Sequence, residues 1–392
     1  MPDLKEQIQH LSNDLFPQIR EIRQHIHQNP ELSFQEFQTC AYILQLLESF
    51  GISGARVVSK TGVVVDIQGK NPESNTRVLR ADIDALPISE QSDAPYKSNN
   101  QGVMHACGHD VHTSCLLGAA NILFQTRNHW QGTIRFIFQP GEEKLPGGAS
   151  LMISEGVLND TERIYGQHVF PELPSGHVGF KPGVYMASAD EIYLTVRGRG
   201  GHAAMPHKNI DPVLIASHIV VAIQQIVSRR ANPETPTVLS FGRFEGLGAT
   251  NVIPSEAKLE GTFRTFDERW RFEAHGLIEQ VATQVAASMG ATIDLNIKVG
   301  YPVLHNNEQL TQSAAKLAAD FLGEEHVHSL ARRMTAEDFA YYTHEIPGCF
   351  YRLGTSGEDN THCFPVHHPQ FDIAPKSLVT GMGLMAWLAA KG

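Results

Sequence analysis

The apolar run RVLRADI, residues 77–83, is followed by a helical stretch at residues 111–125 and by a second apolar run, TIRFIF, at residues 133–138. A valine-rich run, GVVVDI, precedes them at residues 62–67. Short β-rich runs that alternate with helical stretches are typical of an α/β sheet in which some strands are parallel. The sequence therefore predicts an α/β domain built around a mixed sheet.

The pattern of the chain changes near residue 188. From there it predicts elements in the order β-α-β-β-α-β, at residues 191–196, 211–229, 238–241, 257–263, 268–289 and 292–297. This order is the split-βαβ signature of a ferredoxin-like domain. Helical stretches surround the segment on both sides, at residues 4–28, 36–50, 308–322, 336–344 and 376–390. We therefore predict a ferredoxin-like domain at 188–298, inserted into a larger domain formed by 1–187 and 299–392.

The composition narrows the class of protein. The chain has 392 residues, 42% of them hydrophobic, and a formal net charge of -11. Without a long basic run, the charge pattern gives no indication of nucleic-acid binding. No stretch of about 20 apolar residues is present, so no membrane span is expected. The N-terminus lacks the apolar core of a signal peptide, and five scattered cysteines favour a reducing cytoplasm over a disulfide framework.

The run HACGHDVH, residues 105–112, is rich in side chains that bind metals or move protons. Cys107 and His109 are two positions apart, so one turn can direct both at a divalent cation. Downstream, Glu142 and Glu143 follow an apolar strand and Pro140-Gly141. One of these carboxylates can bind a metal while the other acts as a general base on water. A solvated acidic turn is the common alternative, and the preceding strand argues against it.

Further histidines can complete a metal site. His168 follows the strand-like run at residues 163–166, and His367 and His368 are adjacent. An isolated histidine is more often a hydrogen-bonded core residue than a ligand. At most one of the adjacent pair is expected to face a metal, and the residues alone do not choose between them.

The predicted insertion has its own candidates. His202 follows two glycines, which permit a close approach of the backbone, and its imidazole could stabilise an oxyanion. Arg264 interrupts a predicted strand, and its guanidinium could form a bidentate pair with a substrate carboxylate. Asn251 is ambiguous, since asparagine is also a routine turn residue. Cys115 is expected in the core, and Cys40, Cys349 and Cys363 are interpreted as packing residues.

Taken together, these motifs resemble the metal-dependent amidohydrolase branch of the aminoacylase/carboxypeptidase metallopeptidases. That branch includes hippurate hydrolases, N-acyl-amino-acid deacylases and indole-acetyl-amino-acid hydrolases. The resemblance runs nearly from end to end, through HQNPELSFQE, RADIDALPI, MHACGHDVHTS, FQPGEE, QHVFP, GGHAAMPH, TNVIPSEAKLEGTFRTF, AEDFAYY and HHPQFDI. One departure is Lys144-Leu145-Pro146, where relatives have small residues and glycine. The departure puts the rim of the pocket, and hence the acyl preference, in question.

The resemblance implies a zinc-peptidase-like α/β catalytic domain that holds two divalent ions, which could be Zn, Mn, Co or Ni. Cys107 would bridge them, with Glu143 and His367 on one ion and His109 and His168 on the other.

By the same resemblance, Glu142 would be the general acid/base and His202 would polarise the scissile carbonyl. Asn251 and Arg264 would bind the substrate carboxylate, and Asp84 would orient a ligand. The insertion would serve as a dimerisation or lid domain and give a homodimer.

These features predict a cytoplasmic hydrolase of N-acyl-L-amino acids, related to hippurate hydrolases, in which metal-bound hydroxide attacks the amide. Three alternatives stay open: a dipeptidase or carboxypeptidase that uses the same site, a metal-binding scaffold without turnover, and a cysteine hydrolase in which Cys107 is the nucleophile beside His109. Only the last should survive a chelator.

Overall fold

The computed structural model describes residues 3–357 and 361–392. The α-helices of this part of the chain are α1 (Leu4–Gln28), α2 (Phe37–Ser49), α3 (His109–Gln125), α4 (Gly148–Ser154), α5 (Pro212–Gln225), α6 (Glu268–Ser288), α7 (Glu308–Leu322), α8 (Ala340–Glu345) and α9 (Ser377–Lys391). Side-chain caps define several helix starts. In α1, Asp3 and Glu6 form a reciprocal capping box.

The β-strands are β1 (Arg56–Val58), β2 (Gly62–Gln68), β3 (Thr76–Asp82), β4 (Thr133–Gln139), β5 (Arg163–Pro174), β6 (Val178–Phe180), β7 (Gly183–Met186), β8 (Asp190–Arg197), β9 (Gly201–His202), β10 (Thr237–Glu245), β11 (Val252–Ile253), β12 (Glu256–Thr265), β13 (Thr292–Lys298), β14 (Leu304–Asn306), β15 (Val327–Ser329) and β16 (Gly348–Ser356). The chain divides into two compact units. The first comprises the chain up to Tyr185, His305–Arg332 and Asp338–Gly392, and the second comprises Met186–Leu304 and Arg333–Glu337.

The first unit contains an eight-stranded mixed sheet in the order β1-β2-β4-β3-β5-β16-β6-β15. The central neighbours β4-β3, β3-β5 and β5-β16 are parallel, whereas β1-β2, β2-β4 and β16-β6 are antiparallel. The carboxyl ends of parallel strands lie at one edge of a sheet, where open α/β folds bind ligands. A large mixed α/β sheet was predicted, and the structure confirms it.

Helix α3 is the centre of this unit. Its residues from His109 to Leu123 are all buried, and it packs against α1, α9 and β3. The helix is therefore enclosed by the core of the unit, although several of its buried residues are polar. This burial fixes the start of α3, and with it the metal-binding motif at its N-terminus.

The second unit has a four-stranded antiparallel sheet in the order β10-β12-β8-β13. Helices α5 and α6 pack against each other and bury apolar faces in a separate core, which includes Ile215, Ile219, Ile278 and Phe263. The short strands β9 and β11 pair as a small ribbon.

Within the described residues, one helical segment, Pro212–Arg230, is long and apolar enough to cross a membrane by length and composition alone. The sequence analysis expected no such stretch. About a third of its most apolar window is buried, and Ile215, Ile219 and Ile223 face the core of the second unit. A core helix of a globular protein can have the same length and apolar composition. These two properties alone therefore do not indicate that Pro212–Arg230 spans a membrane.

Four predictions from sequence were wrong in detail. His168 does not follow a strand but lies inside β5. The helix predicted over 336–344 begins only at Ala340. Arg264 does not interrupt a strand, because β12 runs through it to Thr265. Cys363 is exposed rather than packed, whereas the other cysteines are buried.

Candidate metal centre

Cys107 and His109 lie on the turn that leads into α3. Gly108 between them has φ of 78°, in the left-handed region that favours glycine. A Cβ atom at Gly108 would lie 2.6 Å from the Val169 side chain. The turn therefore requires glycine on two grounds, and it buries both candidate ligands.

A first group of donor atoms consists of Cys107 Sγ and the imidazoles of His109 and His168, all within 4.8 Å of one another. Cys107 Sγ lies 3.4 Å from His168 Nε2. The opposite nitrogen of His168, Nδ1, is 2.8 Å from the Val169 carbonyl oxygen. Nδ1 donates to that carbonyl, which leaves Nε2 as the lone-pair nitrogen on the side of the thiol.

A second group shares Cys107 and adds Glu143 and His367, again with donor atoms within 4.8 Å. His367 Nε2 lies 3.3 Å from Glu143 Oε1. His367 has φ of 67°, which is unusual for a residue with a side chain. Its backbone N–H donates to the Ala106 carbonyl at 2.7 Å. This bond ties the C-terminal histidine to the loop that carries Cys107.

The neighbouring His368 is occupied elsewhere. Its ring stacks on Phe364 with centroids 4.5 Å apart, and its Nδ1 accepts from the backbone N–H of Gln370 at 3.1 Å. The structure thus brings His367, and not His368, to the other candidate ligands.

Asp84 connects the two groups. One of its oxygens lies 3.1 Å from His109 Nδ1, and the other accepts from the Glu143 backbone N–H at 3.0 Å and from the Ser33 hydroxyl at 2.6 Å. Burial raises the pKa of Asp84, but the hydrogen bond and charge of His109, together with the bonds from Ser33 and the Glu143 backbone, hold the pKa below its usual range. A charged Asp84 fixes His109 with Nδ1 as donor and Nε2 facing the thiol side.

Two buried polar atoms at the centre, His109 Nε2 and Glu143 Oε1, make no well-aligned hydrogen bond within the described residues, although His367 Nε2 lies 3.3 Å from Glu143 Oε1. Unpaired buried polar atoms are rare and costly. Both are ordinary ligand atoms for a divalent cation, and they face a mixed set of sulfur, nitrogen and oxygen donors of the kind that such cations bind. The residues present therefore fit divalent metal ions.

Protonation of the donors agrees with a site built for cations. Burial and the Glu143 carboxylate raise the pKa of the Cys107 thiol. Hydrogen bonds to Cys107 and Glu143 raise the pKa of His367 to about 10. Burial, with Arg352 nearby, holds the pKa of His168 well below its usual range. Metal binding must therefore displace protons from some ligands but not from His168.

Glu142 is buried beside these ligands, with a carboxylate oxygen within 4.8 Å of donor atoms of His109 and Glu143. One of its oxygens accepts the backbone N–H of Asp338 at 3.4 Å. The Asp338 carboxylate in turn accepts from Arg80 at 2.8 Å and from Gln139 at 2.8 and 2.9 Å. A buried network across β3 and β4 thus fixes the segment that contacts Glu142.

Asp338 was not predicted from sequence as part of the site. Nor was the buried, hydrogen-bonded pair of Asp82 and His112. His112 Nδ1 lies 2.6 Å from Asp82, and His112 Nε2 accepts the Val169 backbone N–H at 2.8 Å. The pair therefore holds β5 directly after His168. For the Asp82–His112 pair, the available signals were the acidic position in RVLRADI and the last histidine of HACGHDVH, and neither specified a partner.

The second unit contains the remaining predicted residues. His202 in β9 is exposed, and its Nδ1 accepts the Ala204 N–H at 3.1 Å. Asn251 lies at the same ribbon, where its carbonyl accepts the Ala203 N–H at 3.0 Å. Arg264 in β12 donates to the Met334 carbonyl at 3.1 Å, and burial lowers its pKa. His202 and Asn251 are thus neighbours, whereas Arg264 is on a separate strand.

Comparisons with known proteins identify the family. Residues 78–391 match the model of peptidase family M20/M25/M40. An N-acetyl-L-cysteine deacetylase of Bacillus subtilis is 40% identical over 358 residues, which is 91% of this chain and 84% of that protein. Thermostable carboxypeptidase 2 of Saccharolobus solfataricus is 36% identical over 392 residues, 99% of each chain.

A solved structure agrees with these relatives. A dinuclear metal-binding peptidase of family M20 from Bacillus subtilis superimposes with a TM-score of 0.81 at 35% identity, over 96% of this chain and 98% of that one. The chain belongs to the M20 peptidase family and is a metal-dependent hydrolase of the amidohydrolase and peptidase type.

Proposed function

We propose that this protein hydrolyses the amide bond of N-acyl-L-amino acids, hippurate-like conjugates included, and releases a carboxylic acid and an amino acid. The observation that carries the proposal is the pair of donor groups that share Cys107, with Glu142 buried alongside. The relative that is an N-acetyl-L-cysteine deacetylase supports an acyl-amino-acid substrate.

In this proposal two divalent ions per subunit bind the donor groups. Cys107, Glu143 and His367 would hold one ion, and Cys107, His109 and His168 would hold the other. Zinc, manganese, cobalt and nickel all suit this ligand set. When bound, such ions lower the pKa of water and polarise a carbonyl oxygen. Asp84 keeps His109 in the tautomer and orientation that a ligand needs.

Glu142 acts as the general acid/base. Its carboxylate takes the proton of the attacking water and returns it to the nitrogen of the leaving amine, so that the amine departs neutral. The backbone N–H of Asp338 donates to one oxygen of Glu142, and this bond orients the carboxylate for proton transfer. The buried position of Glu142 limits competing water.

The second unit supplies substrate contacts in this proposal. His202 stabilises the oxyanion of the tetrahedral intermediate, and Asn251 and Arg264 bind the substrate carboxylate.

We assign 188–298 as a ferredoxin-like dimerisation or lid domain, inserted in a catalytic domain of 1–187 and 299–392. The strand order β10-β12-β8-β13 with two helices supports that assignment. Light scattering tests the homodimer: a monomer mass would exclude it.

The activity is tested by amine release from N-acetyl-, N-benzoyl- and indole-acetyl-amino acids. Chelator-stripped protein is assayed after manganese, zinc, cobalt or nickel is restored singly. Activity that returns with metal supports the proposal and names the acyl class. Activity that ignores the chelator favours Cys107 as a nucleophile, and metal binding without turnover favours a scaffold.

A second candidate is dipeptidase or carboxypeptidase activity at the same site. It is favoured by the 36% identity to a carboxypeptidase over the full chain. Free dipeptides and N-blocked dipeptides, added to the same panel, separate the two activities. In either case we propose a cytoplasmic enzyme that acts on small molecules, with neither nucleic acid nor membrane as a partner.

A further inference from the structure

Three histidines outside the metal centre meet at the end of the large sheet. His177 directly precedes β6, and His326 directly precedes β15, which carries His328. These two strands are parallel, with Val327 opposite Val178. Side chains alternate between the faces of a strand, so His326 and His328 lie on the same side of β15. The sheet therefore places three imidazoles from two neighbouring strands together.

The rings are close. His177 Nδ1 lies 2.8 Å from His328 Nε2, and the centroid distances from His177 are 5.1 Å to His328 and 4.7 Å to His326. The backbone of His177 is held by a hydrogen bond, in which its carbonyl accepts the Gly354 N–H at 2.8 Å. Ordinary surface histidines are separate and mobile, whereas these are held against one another.

A backbone carbonyl selects the tautomer of His326. Its Nδ1 lies 2.9 Å from the Leu322 carbonyl oxygen and must donate to it. Nε2 is then the nitrogen with the lone pair. A backbone carbonyl that binds one ring nitrogen and frees the other is the usual support of a metal-bound histidine.

The cluster is accessible, and the pKa of one of its rings is lowered. All three histidines are partly exposed. Burial, together with the facing imidazoles of His326 and His328, lowers the pKa of His177. The Glu325 carboxylate lies 3.6 Å from His326 Nδ1 and adds negative charge. A cation can reach the site from solvent. To bind both nitrogens it must displace the proton of the hydrogen bond between His177 Nδ1 and His328 Nε2, which can move to the opposite nitrogen of the same ring.

We propose that His177, His326 and His328 form a separate binding site for a transition-metal cation of the zinc, nickel or copper type. His177 Nδ1 and His328 Nε2 are the first two ligands. Metal–nitrogen bonds of about 2.0 to 2.1 Å in tetrahedral geometry place ligand nitrogens about 3.3 Å apart, so the pair opens by about half an ångström. The His326 ring turns to offer Nε2 as the third ligand, and water completes the shell.

The test measures metal stoichiometry on the full chain. Zinc is titrated against a chromogenic chelator into the wild-type protein, His177→Gln, His328→Gln and a control, His218→Gln, whose histidine is exposed on α5. We expect the wild type and the control to bind one equivalent more than His177→Gln and His328→Gln. Equal stoichiometry in all four proteins would overturn the proposal.

A second measurement separates this site from the metal centre. Cys107→Ser removes the shared ligand of the centre, so the peripheral equivalent should survive in that background. One equivalent of copper(II) should then give an electron paramagnetic resonance spectrum with splitting from imidazole nitrogens, and His328→Gln should lose it. An unchanged spectrum in His328→Gln contradicts the proposal and leaves the proposed hydrolase activity unaffected.

Discussion

At the scale of single residues, Glu142 and Glu143 are adjacent but have different surroundings. Glu143 places an unpaired oxygen among the donors with Cys107 and His367. Glu142 instead accepts the Asp338 backbone N–H at 3.4 Å. Adjacent carboxylates can take different roles only when the loop fixes each one separately. The contacts of the loop therefore favour Glu143 as the ligand and Glu142 as the proton carrier.

Glu142→Gln should bind metal normally and lose turnover by about 10² or more, because general-base assistance is typically worth that much. The variant keeps the size and the acceptor oxygen of Glu142 but cannot take a proton. Turnover and metal content are measured together. Glu73→Gln, at an exposed position in the same unit, is the control. Turnover retained in Glu142→Gln would remove Glu142 from the mechanism.

Glu36, which precedes α2, binds the turn that leads to Glu142 and Glu143. One oxygen accepts the backbone N–H groups of Phe34 at 2.7 Å and Gly141 at 2.9 Å, and the other accepts the Thr61 hydroxyl at 2.7 Å. Gly141 has φ of 61°, and a Cβ there would lie 2.3 Å from the Phe34 ring. The N-terminal segment thus clamps the turn before Glu142. Burial, with Asp84 nearby, raises the pKa of Glu36 to about 7.

Glu36→Ala should reduce turnover by about 10- to 100-fold, since small displacements of catalytic groups have effects of that size. Glu36→Gln should keep the clamp, because its amide oxygen accepts the two N–H groups and the Thr61 hydroxyl can rotate to accept. If Glu36→Ala and Glu36→Gln are equally active, the clamp has no effect on the site.

The raised pKa of Glu36 also predicts a pH dependence. Between the ordinary value of 4.5 and about 7, the folded protein holds a proton that the unfolded chain has lost. Stability must therefore fall as the pH rises through this window. Chemical unfolding of the wild type and Glu36→Gln at several pH values measures the effect, and the wild type should lose stability relative to the variant. Parallel curves would contradict it.

At the scale of elements, Asp190 joins β8 to α6 in the second unit. This buried carboxylate accepts from Arg271 at 2.9 Å, from the Gly300 N–H at 2.9 Å, and pairs with His275 at 2.8 Å. Burial raises the pKa of Asp190, but the bonds from Arg271 and His275 outweigh it and lower the pKa. The charged carboxylate of Asp190 therefore holds β8 and α6 together.

Asp190→Asn should destabilise the second unit by about 1–3 kcal/mol at neutral pH, because Arg271 loses a buried charged partner but keeps Glu268 at 3.1 Å. The pKa of Asp190 is depressed on folding, so its contribution is complete above the ordinary value of 3.8 and is lost as the pH falls through the folded value. Urea unfolding at neutral and acidic pH should show the difference shrink. Asp294→Asn, exposed on β13, is the control. A constant difference would contradict the linkage.

The elements also show what sequence reveals and what it does not. Strands such as β3 and β4 were predicted within a residue or two, because their apolar runs are bounded by polar ones. His168 was placed wrongly, because β5 is apolar around a buried histidine and continues to Pro174. β16 was missed, since its interior charge, Arg352, is buried against Tyr185 through a 2.8 Å bond. A tertiary partner makes a polar residue compatible with a core strand, and sequence periodicity carries no information about that partner.

At the scale of the whole molecule, the proposed ligands come from distant parts of the chain. Cys107 precedes α3 and His109 begins it, Glu143 follows β4, His168 lies in β5, and His367 lies between β16 and α9. The unfolded chain cannot present them together. Metal ions therefore bind the folded first unit in preference to the unfolded state, and binding adds to the free energy of unfolding.

Metal removal should consequently lower the melting temperature. At a free metal concentration of 100 times Kd, binding adds about 2.7 kcal/mol, which corresponds to a rise of several degrees in a domain of this size. Differential scanning calorimetry of chelator-treated and metal-restored protein measures the difference. Cys107→Ser removes the ligand common to both donor groups, so in a His328→Gln background its melting temperature should respond little to metal. If the variant responds as strongly as the wild type, the stabilising ions bind elsewhere. If neither protein responds, the donor groups do not bind metal tightly in the folded state, and the proposed hydrolytic centre fails with them.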